Sequence, residues 1–221
     1  MVSDAYSLSI PDGIALRQAR AWLWLGVLAL LGSGLYVVFI VLSRTPFIEA
    51  IFPFVDFFKT ALVVHVDLSV LVWFLAFCGA IWSLNGLERG AFWGRLAIAM
   101  MSAGATIMFL APFTGDARPL LSNYVPVLRQ PLFLAGLALA GTGAGIQVLR
   151  SLFFSRPVGP WASGEAALRF GINTSVVAGA MAMLALITTL LRMPAGESAA
   201  RLCMKPCSGA AAMSCSSSIP N

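Results

Sequence analysis

An all-α integral membrane bundle of five transmembrane helices is the fold class this sequence predicts, and three observations predict it. Of the 221 residues, 59% are hydrophobic and only 10% are charged, whereas soluble domains carry charge on roughly a quarter of theirs. The apolar residues fall into five blocks of about 20, the length that crosses a bilayer core. Residues 22–42, 96–114, 132–149 and 170–191 contain no Asp, Glu, Lys, Arg or His, and residues 60–84 carry only His65 and Asp67. A segment in hydrocarbon must satisfy its own backbone hydrogen bonds, so these blocks are helices and not isolated strands.

Taken in order, the spans are expected at about 21–43, 59–84, 95–114, 131–150 and 169–192, inside a transmembrane domain of residues 19–193. A polar segment, residues 1–18, precedes them, punctuated by Pro11 and Gly13 and carrying Arg17. The first span is too long for a signal-peptide core and four more follow, so it is expected to be retained. Stop signals separate the spans: Arg44-Thr45-Pro46, Asn85-Gly86, Pro119 with Pro126, and Arg156-Pro157 with Gly159-Pro160. Gly141 and Gly145 form a small-xxx-small pattern in the fourth span, expected to let a neighbouring backbone approach closely. That glycine run lacks the strand and spacing of a nucleotide loop. Cys78 reads as a small core residue.

Beyond Pro194 the pattern changes. Residues 194–221 have no hydrophobic periodicity and hold Cys203, Cys207 and Cys215. Irregular spacing without histidine disfavours a metal site, and the composition predicts a disordered low-complexity tail. The formal net charge of +5 comes from basic residues scattered over every loop. No Lys/Arg cluster interleaved with aromatics occurs, so nucleic acid is not an expected partner. The arginines and lysines at the two ends of the spans nearly balance, so charge alone assigns no orientation.

The chemistry points to one place. His65 is the single histidine, about six residues and hence about 9 Å into the second span. An ionisable group inside a membrane costs from about 2.5 kcal/mol upward when charged, so such groups usually serve a purpose. Two readings compete: an imidazole ligand to haem iron, or a histidine hydrogen-bonded to a neighbouring helix. Asp67 lies two residues on, about 200° around a helix, so the two side chains face apart. It is expected either to pair with a loop arginine or to relay protons.

The run FFKTALVVHVDLSVLVWFLAF (residues 57–77) resembles the second helix of haem–copper oxidase subunit I. The run from Asn123 to Phe133 is similar to that family's loop between its third and fourth helices, and residues 17–39 fit its first helix. The resemblance covers residues 17 to about 193. It implies an N-terminus on the cytoplasmic side of a bacterial inner membrane. It also implies His65 as one axial ligand of a low-spin haem, with other oxidase subunits and an electron donor such as cytochrome c as partners. Such subunits move electrons through that haem to a haem–copper centre, copper being bound only in the intact family.

Departures from that pattern bear on activity. The family has about twelve helices and several metal-ligating histidines, and this sequence offers His65 alone. Read one base out of frame, the codon junctions after Met204 permit a run similar to the start of the family's sixth helix. Residues after about 196 are therefore expected to be a shifted-frame reading of a longer subunit, and the chain by itself is expected to have no turnover. The alternative is a small membrane accessory or assembly protein without haem. A small transporter ranks last, because no internal repeat is visible.

Overall fold

The computed structural model describes residues 8–9, 13–45, 57–114, 119–120, 126–160 and 163–192. Two compact units divide the chain, residues 1–183 and 184–221. Of the second unit, the described part is the end of the last helix. The expected tail, including Cys203, Cys207 and Cys215, lies outside the described residues, as do most of residues 1–12 and the run 121–125.

Five helices are long and apolar enough to cross a membrane. They are α1 (Ile14–Leu42), α2 (Phe57–Leu84), α3 (Ala91–Leu110), α4 (Pro131–Phe153) and α5 (Gly164–Arg192). The chain is a multi-pass membrane protein with a helical fold, and its apolar outer faces meet lipid. The one ladder among the described residues is a two-residue antiparallel pairing of Pro119–Leu120 with Val127–Leu128 in the connection before α4.

The helices start earlier than hydropathy alone predicts. α1 takes in residues 14–18 of the expected polar segment, Arg17 and Gln18 among them, since Arg and Gln are good helix formers. Likewise α5 begins at Gly164, where the Ser163 hydroxyl accepts from the Ala166 amide at 3.2 Å as an N-cap. Pro131 occupies the first turn of α4, where its missing N–H is not needed. α2 is interrupted: residues Asp67–Val72 run as a π-helix, a single wide turn of the kind often found at functional sites.

Packing follows the small residues, but not the pair expected. α3 and α4 touch backbone to backbone. A Cβ on Gly104 would sit 2.5 Å from the Ala140 nitrogen, and one on Gly143 would sit 2.7 Å from the Met101 nitrogen. Gly136 joins them on that face, at the i, i+4 and i+7 positions shared with Ala140 and Gly143. Gly141 instead points away, with nothing near it, and Gly145 meets only the end of Met183. The expected Gly141–Gly145 face is therefore corrected to Gly136–Ala140–Gly143, because Gly141 is about 100° off that line. α1 crosses α2 antiparallel, with the Trp22 ring seated on Gly79 and Gly26 against Ala76 and Trp73. Cys78 is half-buried rather than core.

At one end, Tyr36 donates its hydroxyl to the Phe109 carbonyl at 2.6 Å and meets Phe39 and Phe109 edge-on. At the other end, a polar layer closes the interior. Gln18 donates to the Ala91 carbonyl and accepts from the buried Arg150 guanidinium. Gln147 donates to Ser83, and Asn85 donates to Asn173. Backbone bonds from Leu87 to Phe154 and from Arg156 to Asn85 zip the second connection to the fourth.

Candidate functional site

His65 stands where α2 meets the π-helical turn and faces α1. Ser33, a buried serine between Gly32 and Gly34, meets it with both its hydroxyl and its backbone. Ser33 Oγ lies 2.7 Å from His65 Nδ1 and 3.1 Å from the His65 carbonyl oxygen, and Nδ1 lies 3.1 Å from the Ser33 carbonyl oxygen. The Ser69 hydroxyl donates to the same His65 carbonyl at 2.7 Å. Two hydroxyls thus satisfy the His65 carbonyl at the point where the helix leaves α geometry.

The Ser33 carbonyl contact favours one imidazole tautomer, inferred from the hydrogen-bond pattern. A carbonyl oxygen can only accept, so Nδ1 carries the proton and points it at the Ser33 carbonyl. The Ser33 hydroxyl then gives its own hydrogen to the His65 carbonyl and shares the Nδ1–H. A proton on Nε2 instead would set the Nδ1 lone pair against the Ser33 carbonyl. Among the described residues, Nε2 makes no hydrogen bond, and His65 is half-exposed. An imidazole with Nδ1–H tied to a carbonyl and a bare Nε2 lone pair is the usual arrangement of a histidine that ligates metal.

Asp67 lies deeper than His65. It is 1% exposed, and its Oδ2 has no hydrogen-bond partner. His65 faces α1, and Asp67 is buried. Among the described residues, Asp67 forms no salt bridge. The pairing of Glu165 with Arg169, at 2.6 Å, is the salt bridge among the described residues. No cluster of three or more His, Cys, Asp or Glu side chains occurs among the described residues. The donor set fits haem at one axial position, through His65 Nε2, and offers no second imidazole.

Sequence reasoning singled out His65 and Asp67 but missed Ser33. The available signal was a hydroxyl in the middle of a charge-free span, which in lipid needs a partner. The polar layer of Gln18, Asn85, Gln147 and Arg150 was also missed, because each residue lies at a span edge where polarity is unremarkable.

No protein-family model matches the chain, and no solved structure matches it. Its sequence is similar to an uncharacterized protein of Rickettsia prowazekii, 30% identical, over 61% of this chain and 31% of the relative. It is also similar to an uncharacterized protein of Aquifex aeolicus, 27% identical, over 80% of this chain and 44% of the relative. The chain thus spans less than half the length of either curated relative.

Proposed function

We propose that this chain is the N-terminal part of a haem–copper oxidase-type subunit I in a bacterial inner membrane, its N-terminus cytoplasmic, and that His65 supplies one axial ligand of a low-spin haem. The single observation that carries this reading is the held imidazole: Nδ1 lies against the Ser33 hydroxyl and carbonyl, and Nε2 has no hydrogen bond among the described residues. A ligand histidine needs its ring oriented and its tautomer set by such an outer partner, whose loss typically costs 10–100-fold in affinity. Bound haem would supply electron transfer; this chain would hold it by His65 and pack apolar surface beside it. Gly34, next to Ser33, has an open, exposed face on α1, so nothing of its own crowds that side. The second axial ligand, the copper ligands, and partners such as other oxidase subunits or cytochrome c belong to the longer protein. That both relatives are bacterial and much longer is in keeping with the reading.

Titrating the purified full chain with hemin tests it. The expected result is a shifted Soret band that His65→Ala abolishes and Ser33→Ala weakens. An identical shift in His65→Ala would overturn the assignment. The Ser33–His65 bond also favours a second reading, a haem-free accessory membrane protein in which His65 ties α2 to α1. That reading predicts no hemin-dependent shift, and a loss of stability in His65→Ala as large as in Ser33→Ala.

A further inference from the structure

α1 and α3 are tied at their ends, by Gln18 to the Ala91 carbonyl and Tyr36 to the Phe109 carbonyl, and between them lies a groove of about 480 Å³ open to the membrane. Its walls are Ala21, Leu28 and Gly32 on one side and Ile98, Ala105 and Phe109 on the other. Leu68 from α2 contributes to the lining. The lining is apolar except for Ser102 and Thr106, and the Thr106 hydroxyl is spent on the Ser102 carbonyl at 2.8 Å. From Ala21 to Gly32 it runs about 16 Å along the helix at 1.5 Å per residue. That matches one leaflet of a hydrocarbon core about 30 Å thick.

The end of the groove is charged. Arg17 and Arg20 stand one turn before Ala21 and Trp24, on the same face of α1 by the i, i+3, i+4 rule. Arg95 stands three residues before Ile98 and seven before Ser102, on the matching face of α3. All three are exposed, and none forms an ion pair among the described residues. Exposed Phe92 and Trp93 lie beside Arg95, where an aromatic belt marks the membrane–water interface. Three exposed guanidiniums at headgroup level, above an apolar slot one leaflet deep, complement a phosphate carried on a glycerol-linked acyl chain.

We propose that the α1–α3 groove is a binding site for an anionic phospholipid, one acyl chain lying between the helices and the phosphate held by Arg17, Arg20 and Arg95. Basic pockets between membrane helices recognise such headgroups, each arginine near the surface contributing about fivefold in affinity. The site uses neither His65 nor Asp67 and does not depend on haem.

The test is native mass spectrometry of the full chain in nonionic detergent, titrated with phosphatidylglycerol or with phosphatidylcholine of the same acyl chains. Phosphatidylglycerol is expected to bind at least about tenfold more tightly. The triple variant Arg17→Gln, Arg20→Gln, Arg95→Gln is expected to erase that preference, and Arg44→Gln, at the opposite end of α1, to leave it intact. Ala21→Phe, which fills the groove from a half-exposed position, is expected to release both lipids. Equal retention of the two lipids by the unaltered chain would overturn the proposal. So would a preference that survives the triple variant, or binding unaffected by Ala21→Phe.

Discussion

The α3–α4 seam and the α1–α2 seam are built on opposite plans. Between α3 and α4, glycine faces backbone, and no room remains for even one methyl group at Gly104 or Gly143. Between α1 and α2, side chains span the seam: Ser33 hydrogen-bonds His65, and the Trp22 ring packs over Gly79. Lipid gives helices no hydrophobic reason to associate, so close packing and interhelical hydrogen bonds must do it. A seam closed by packing is rigid and has no chemistry to offer. One closed by a few polar contacts leaves a nitrogen free and, on the α1–α3 side, a groove open. The difference places the scaffold in α3–α4 and the candidate chemistry at the α1–α2 seam.

The comparison breaks most visibly at Gly104. Gly104→Leu would drive a side chain into the Ala140 nitrogen and the Gly136 oxygen. Overpacking usually costs 1–3 kcal/mol and more when backbone must move, so the expected outcome is loss of monodisperse folded protein in size-exclusion chromatography. A folded variant with an unchanged melting temperature would mean that the seam is not closed.

Next in size is the polar layer that ends both seams. Arg150 is 2% exposed, and among the described residues its Nε and Nη1 have no partner, so the bond from Nη2 to Gln18 at 3.0 Å is what holds its guanidinium. Hydrogen bonds to charged groups contribute about 1.5–3 kcal/mol. Gln18→Leu is therefore expected to lower stability by about 2 kcal/mol, read as an earlier thermal unfolding transition in detergent. It also removes the cap on the Ala91 carbonyl. A neutral result would place a further partner on the guanidinium.

Smaller still in stability, but larger in chemistry, is Ser33→Ala. It removes a hydroxyl that touches Nδ1 and the His65 carbonyl, while the Ser33 backbone carbonyl stays to hold the ring proton. The expected cost is about 1 kcal/mol of stability, together with a 10–100-fold weaker hemin affinity. Equal hemin affinity in the two proteins would make the Ser33 contact purely structural.

How much of this was legible in the sequence differs between the same two seams. The five spans were, because a run of about 20 apolar residues is a local property. Their ends were read late at α1 and α5, because helix propensity, capping and ion pairs continue a helix past the hydrocarbon edge, as at Gln18 and Ser163. His65 was legible as the one histidine, but its partner was not: Ser33 is 32 residues away, and only the crossing of α1 over α2 brings them together. The glycine seam was half legible. Composition pointed to α4, and the choice of Gly141 over Gly143 failed because a 200° difference in helix phase is set by which neighbour α4 meets.

That failure sets the smallest prediction, which sharpens the comparison most. Gly141 has nothing within 4 Å of a built Cβ, so Gly141→Leu puts a side chain into open space on the outer face of α4. Replacing a helical glycine with leucine removes a penalty of up to about 1 kcal/mol, so the variant is expected to unfold at the same temperature as the unaltered chain or slightly above it. Beside Gly104→Leu, it gives two identical substitutions in facing helices, one fatal and one silent, with only the seam to tell them apart. If Gly141→Leu were instead destabilising in the membrane but silent in detergent, the outer face of α4 would be covered by another helix there, and Gly141–Gly145 would be a packing face after all.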